Sequence, residues 1–191
     1  GKKNGWKKTA PISLLVRSPG EKFVQRDEKE WPLKRTQWTT LHLNPQGMTF
    51  SQDPITENAQ VTYDMMGDGV TFAFPPQKQE VELTGPMALK LFISSTTVDA
   101  DIFAVVRIYD KENKEDLFHG ALDPKTPVAQ GWLRASHRKL DKKKSLPYRP
   151  WHSHDQKQAL VPGQVYELDV EIWPTCIVVP VGYRIALTVR G

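Results

Sequence analysis

Apolar and polar side chains alternate along much of this chain, which is the pattern of β-strands with one face in a core. The clearest alternation runs over Val165–Ile172, where apolar residues at every second position are separated by acidic ones. Tyr183–Arg190 and Met87–Ile93 repeat it. Ile102–Tyr109 is apolar on both faces up to Arg107, which predicts a central strand. Shorter strands are predicted at Ile12–Arg17, Trp38–Leu43, Val70–Phe74 and Gly131–His137.

Turn-forming residues separate these segments, as at Pro162-Gly163 and Gly67-Asp68-Gly69. A helical period is missing from the sequence except over Arg26–Trp31, which predicts one helical turn before Pro32. Many short strands joined by frequent turns predict an all-β, antiparallel sandwich or jelly roll. The long loops are predicted at Leu122–Gln130 and Lys139–Gln158.

The domain organisation follows from length and from the two chain ends. The 191 residues fit one large all-β domain. Residues 1–10 are predicted to be a linker or docking arm, and residues 11–191 the sandwich. Arg190-Gly191 ends a strong strand with no turn after it, so we expect the sandwich to be truncated at its C-terminus and to lack its last strand.

Composition and charge exclude several classes of protein. The net charge of +4 is dispersed, apart from basic residues within Arg138–Lys144 that we interpret as a solvated loop, so a nucleic-acid binder is a weak hypothesis. The single cysteine, Cys176, excludes an intramolecular disulfide and a thiolate metal centre. The longest runs of apolar residues are far shorter than the roughly 18 residues that a membrane-spanning helix needs. Gly1–Lys8 lacks the core of a signal peptide, and we favour a cytoplasmic location.

The sequence does not contain the recognisable motifs of catalysis or cofactor binding. The G-x-S-x-G elbow of a serine hydrolase is missing, and Ser136 and His137 would point to opposite faces of a strand. His152 and His154 could share a face and one metal ion, but we interpret them as surface-loop histidines. A calcium role for Asp99 and Asp101 is a further alternative, weaker than strand-start hydrogen bonding. We therefore predict no catalytic residue, no metal and no cofactor.

Several segments in order resemble a known family, the C-terminal domain of the X-prolyl dipeptidyl peptidase and cocaine-esterase-like (CocE/NonD) serine hydrolases. The segments that carry the resemblance are Val81–Val106, Gly131–Arg138, Leu160–Gly163, Tyr166–Thr175 and Val181–Leu187, with Glu28–Leu33 and Gly1–Trp6 upstream. The resemblance implies a non-catalytic jelly roll similar to galactose-binding domains. It also implies that the Ser, Asp and His triad lies in a catalytic domain that precedes Gly1, so no triad residue is assigned to this chain.

The resemblance further implies partners. Within the parent chain, the sandwich would pack against the α/β-hydrolase domain and the helical cap and would wall part of the substrate entrance. It would also help to assemble a homo-oligomer. Our candidate contact residues are Trp31, Trp132, Arg134, His137 and Trp151. Two alternatives stay open. Trp132 could be core with Arg134 in a structural ion pair, and the six tryptophans could serve a carbohydrate-binding module.

Overall fold

The computed structural model describes residues 4–191 and contains ten β-strands and two 3₁₀ turns. The 3₁₀ turns are Trp6–Lys8 and Ala135–His137, and the described residues form no α-helix. The first part of the predicted linker, residues 1–3, lies outside the described residues. The strands are β1 Ile12–Ser18, β2 Lys22–Glu28, β3 His42–Asn44, β4 Thr49–Ser51, β5 Val70–Ala73, β6 Val81–Ile93, β7 Asp101–Tyr109, β8 Ala129–Arg134, β9 Tyr166–Val179 and β10 Arg184–Arg190.

The strands form two sheets, which confirms the predicted all-β sandwich. One sheet has four strands in the order β2-β1-β9-β6, and the other has six in the order β3-β4-β5-β10-β7-β8. The pairing is antiparallel except between β1 and β9 and between β4 and β5, each of which meets in parallel at one residue pair. The sheets are therefore mixed rather than purely antiparallel. β7 is paired on both sides, as predicted for a central strand.

The core lies between the two sheets and is built by alternate residues of the long strands. Ile108 of β7 and Leu168 and Val170 of β9 are fully buried, which confirms the face predicted for Val165–Ile172. Further along β9 the buried positions change from even to odd numbers, since Ile177 is buried as well. An irregularity in the pairing of β6 with β9 causes this change of phase.

The irregularity is a β-bulge. Gly85 pairs with Thr175 and Met87 with Ile172, so Trp173 and Pro174 together face the single residue between Gly85 and Met87. A bulge adds one residue to a strand and turns the following side chains to the other face. Both halves of β9 can therefore face the core while Trp173 and Pro174 remain exposed. Trp173 points outwards by the ordinary alternation of β9, and the bulge makes Pro174 a second exposed residue after it.

Three local predictions were wrong. Arg26–Trp31 is not a helical turn, because Arg26–Glu28 complete β2 against β1. Trp38–Leu43 is mostly irregular, and only His42–Asn44 form a strand. The strand predicted at Gly131–His137 begins at Ala129 and ends at Arg134, where a 3₁₀ turn follows. That turn is held by Asp99, as described below.

The two sheets meet closely where β8 crosses β9. Gly131 of β8 lies against the backbone of Glu171 and Ile172, and a Cβ added there would be 1.9 Å from the Glu171 carbonyl oxygen. No side chain can fit in this space, so glycine is required by the approach of the strands. The contact brings the outer faces of β8 and β9 side by side and creates the site described next.

Candidate functional site

A cleft of about 410 Å³ opens where β8, the following 3₁₀ turn and β9 meet the loop after Leu140. It contains aromatic, basic, acidic and imidazole groups together. The residues that line it are Trp132, Leu133, Arg134, His137, His152, His154, Glu171 and Trp173. Three of the five residues predicted as contacts, Trp132, Arg134 and His137, are thus brought together.

Two tryptophans form the apolar wall of the cleft. Trp132 is 50% exposed and Trp173 is 57% exposed, and their rings lie 5.0 Å apart at an angle of 53°. Trp132 shares the outer face of β8 with Arg134, as the alternation of that strand predicts. Trp173 follows Ile172 on the outer face of β9, the face of Glu171, and reaches the same cleft. The alternative of a core position for Trp132 is therefore wrong.

Arg134 forms the polar rim through an ion pair with Asp101. Its Nε donates to Asp101 Oδ1 at 2.7 Å, and one of its terminal nitrogens donates to Oδ2 at 2.8 Å. The hydrogen bonds from Arg134 hold the pKa of Asp101 below its usual value. The structural ion pair considered for Arg134 is therefore confirmed. The partner of the Asp101 carboxylate is the Arg134 guanidinium.

Three histidines meet at the other end of the cleft. His137 Nδ1 and His154 Nδ1 are 3.2 Å apart, and the ring of His152 lies 6.1 Å from that of His154. Burial lowers the pKa of His152, and its Nε2 is buried without a hydrogen-bond partner in the described structure. Within residues 4–191 no group of three or more His, Cys, Asp or Glu side chains is arranged to hold a metal ion.

Ser136 is a structural residue. It is 3% exposed, and its hydroxyl donates to Asp99 Oδ2 at 2.6 Å while its backbone N–H donates to Asp99 Oδ1 at 2.9 Å. The Asp99 carboxylate also accepts a hydrogen bond from the N–H of Ala100 at 3.0 Å. A catalytic serine needs an imidazole that takes its proton, whereas this hydroxyl donates to a carboxylate. Asp99 therefore anchors the turn that carries His137.

The other two predicted contact residues lie elsewhere. Among the described residues, the lining of the cleft does not include Trp31 or Trp151. Trp151 is adjacent in sequence to His152, but its ring faces the cations of Lys144 and Arg149, at 5.5 and 6.0 Å. Lys144 and Arg149 therefore lie over the ring of Trp151, which leaves less of that ring open to a ligand.

Sequence reasoning missed Trp173, His154 and Glu171 as members of this cleft. The signal for Trp173 was present, because it continues the outward face of Glu167, Asp169 and Glu171 at every second position. No local signal places His154 beside His137, since 17 residues separate them along the chain.

The fold is a two-sheet β-sandwich with an open cleft lined by aromatic and imidazole groups. Residues 4–191 match the family described as the X-Pro dipeptidyl-peptidase C-terminal non-catalytic domain. The chain belongs to this family, which confirms the resemblance found in the sequence.

The relatives are larger hydrolases. A CocE/NonD family hydrolase from Staphylococcus aureus superimposes with a TM-score of 0.93 at 29% identity, over 100% of this chain and 35% of that one. A Mycobacterium bovis protein, whose name provisionally describes it as a serine esterase, is 32% identical over 64% of this chain and 18% of its own length. An aminopeptidase from a marine-sediment Thaumarchaeota archaeon shares the fold, with a TM-score of 0.59 at 14% identity over 87% of this chain and 31% of its own.

The chain thus spans about a third of the solved hydrolase and less than a fifth of the curated relative. In these relatives the matching domain is one part of a larger hydrolase chain. Its two 3₁₀ turns, the only helical elements of residues 4–191, are too short to cross a membrane.

Proposed function

We propose that this chain is the packing domain of a serine hydrolase of the X-Pro dipeptidyl peptidase or acyl esterase class. In this role it lies against the α/β-hydrolase domain and helical cap, walls part of the substrate entrance and contributes to a homo-oligomer. Residues 1–10 act as the linker to the catalytic domain in this proposal. Its membership of a non-catalytic domain family supports this proposal.

The observation that carries the proposal is the exposed aromatic pair. We call Trp132, Trp173, Arg134 and His137 the tryptophan face. Its two indoles are half exposed, and an ion pair between Arg134 and Asp101 borders them. Interfaces between domains have this composition, with aromatic residues and arginine at the centre and polar groups at the rim. Trp31, which is 37% exposed, and Trp151 extend the proposed contact beyond this face.

The test compares the same substitutions in the longer hydrolase and in the 191-residue chain. Trp132→Ala combined with Trp173→Ala is expected to cost the isolated chain little, since both side chains are about half exposed. In the longer protein, truncation of a buried aromatic at an interface costs about 2 kcal/mol or more. Loss of docking is measured as faster amide hydrogen exchange of β8 and β9 and as a change in turnover.

The control is Phe92→Ala, because Phe92 is 68% exposed on β6, away from the tryptophan face. It should leave exchange and turnover of the longer protein unchanged. The proposal is wrong if the double variant has the same effect in the isolated chain and in the longer protein. An effect of Phe92→Ala alone would instead place the contact on β6.

A carbohydrate-binding module is the second candidate. The cleft offers two indoles for stacking on a sugar ring, with Glu171 and Arg134 beside them as hydrogen-bonding groups. Calorimetric titration of the isolated chain with monosaccharides and oligosaccharides separates the two functions. Saturable binding that is lost in Trp132→Ala favours the sugar-binding module, and no heat of binding favours the packing domain.

A further inference from the structure

We propose that the Nδ1 atoms of His137 and His154 bind one divalent transition-metal ion at the end of the cleft. This two-histidine site differs from the His152 and His154 pair that the sequence offered. It does not depend on the docking of a catalytic domain.

The distance between the two nitrogens suits a shared ion. His137 Nδ1 and His154 Nδ1 are 3.2 Å apart. Two imidazole nitrogens bound at about 2.0–2.1 Å to one tetrahedral ion lie roughly 3.3 Å from each other. In the absence of an ion, the Nδ1–H of one imidazole donates to the Nδ1 of the other. A metal ion that displaced this proton would meet two nitrogen lone pairs at the separation that one ion requires.

The two ligands come from segments that are fixed separately. His137 lies in the 3₁₀ turn that Asp99 anchors through Ser136. His154 has a left-handed backbone with φ 53°. This conformation costs a non-glycine residue free energy and occurs at functional sites more often than elsewhere.

The loop around His154 is held by its two neighbours. The Ser153 N–H donates to the Lys139 carbonyl at 3.0 Å, the Ser153 hydroxyl donates to Asp155 at 2.5 Å, and Lys139 Nζ donates to Asp155 at 2.9 Å. Asp155 is thereby paired with a lysine and a serine. These contacts fix the chain on both sides of His154, and the imidazole of His154 takes part in none of them.

The positively charged side chains near the two imidazoles are each paired with a carboxylate, so they oppose a bound cation only weakly. The positive charge of Arg134 is paired with Asp101 and that of Lys139 with Asp155. The ring of the third imidazole, His152, lies 6.1 Å from that of His154 at the same end of the cleft. The Glu171 carboxylate lines the same cleft and adds a negative charge.

The protein supplies two ligands, and water or an external ligand completes the coordination, because residues 4–191 hold no larger group of ligating side chains. Imidazole ligands suit copper, nickel and zinc, and affinity for such a site rises from cobalt through nickel to copper and falls again at zinc. We therefore expect binding in this order, with calcium and magnesium excluded by their preference for oxygen.

The experiment titrates the 191-residue chain, free of added histidines, with CuCl₂, NiCl₂, CoCl₂, ZnCl₂ and CaCl₂ in a calorimeter at pH 7.5. We expect one copper ion per chain and no heat with calcium. His137→Gln and His154→Gln should each weaken copper binding at least tenfold, since loss of even a group that supports a ligand costs about 10–100-fold. The matched control is His119→Gln, which removes an exposed histidine that contacts Glu21.

A second readout locates the ion without relying on affinity. Substoichiometric Cu²⁺ should broaden the NMR signals of His137 and His154 before that of His119. The proposal is overturned if the two cleft variants bind copper as wild type does, or if the folded chain binds none. It is also overturned if the pair only exchanges a shared proton, seen as a pH titration that metal ions do not displace.

Discussion

Replacing Gly131 with alanine is expected to destabilise the sandwich by about 3 kcal/mol, the upper end for overpacking of a core. A Cβ at this position would lie 1.9 Å from the Glu171 carbonyl oxygen and 2.9 Å from the Ile172 Cα. Both atoms belong to the backbone of β9, so a change of side-chain rotamer cannot relieve the contact. The strands would have to separate at the crossing that supports the cleft.

The measurement is urea unfolding of the isolated chain, and a collapse of soluble folded yield counts as the same result. Gly163→Ala is the control, because Gly163 has a positive φ of 81° but nothing within 4 Å of an added Cβ. Its cost should be limited to the backbone strain of about 1–2 kcal/mol. Equal stabilities of Gly131→Ala and wild type would show that β8 and β9 are not in contact as described.

Replacing Asp99 with alanine is expected to cost about 3 kcal/mol, because each buried donor left without a partner costs about 1–3 kcal/mol. The carboxylate accepts hydrogen bonds from the Ser136 N–H, the Ser136 hydroxyl and the Ala100 N–H. Ser136 and Ala100 are both buried, so water cannot replace these bonds without opening the turn. The position of His137 depends on the same turn.

Asp99→Asn is the conservative comparison, and we expect it to lose about 1 kcal/mol, since one oxygen can still accept. Burial raises the pKa of Asp99, but the hydrogen bonds from Ser136 and Ala100 outweigh it, and the pKa lies below its ordinary value. The wild-type advantage over Asp99→Asn is therefore full above the ordinary aspartate pKa of about 3.9 and declines as the pH falls from there through the lower pKa of the folded state. Urea titrations at pH 7 and pH 3 measure it. A stability of Asp99→Ala within error of wild type would contradict the anchoring role.

The long strands could be predicted from sequence because their alternation reports burial directly. β9 shows the strength of this signal and also its limit. Leu168 and Val170 follow the predicted face, but the bulge at Trp173 and Pro174 interrupts the period. A proline within a strand pattern indicates such an interruption, and the alternation before it already places Trp173 on the exposed face.

The strands β2 and β4 could not be predicted, since each has few buried positions to shape its sequence. β2 carries its apolar residues Phe23 and Val24 side by side, and both are exposed. It is a strand only because β1 pairs with it along its full length. β4 has three residues and takes its position from β3 and β5. For such segments tertiary pairing decides the structure, and local patterns carry little information.

Part of the candidate site could be predicted for the same reason as the strands. Trp132 and Arg134 share a face by strand geometry, and they line the same cleft. His137 was selected as a strand residue, yet it reaches the cleft from a 3₁₀ turn that Asp99 determines. His154 joins it only through the packing of a long loop. Contacts between distant segments depend on the whole fold and leave no local trace in the sequence.

We expect the isolated domain to have no catalytic activity, in agreement with the non-catalytic description of its family. The most direct measurement is turnover of p-nitrophenyl esters and X-Pro amides by the isolated 191-residue chain, together with labelling by a fluorophosphonate. We expect rates equal to buffer and no labelled serine, because the Ser136 hydroxyl is buried and donates to Asp99. Turnover that a serine reagent abolishes, or labelling that disappears in Ser136→Ala, would contradict the claim.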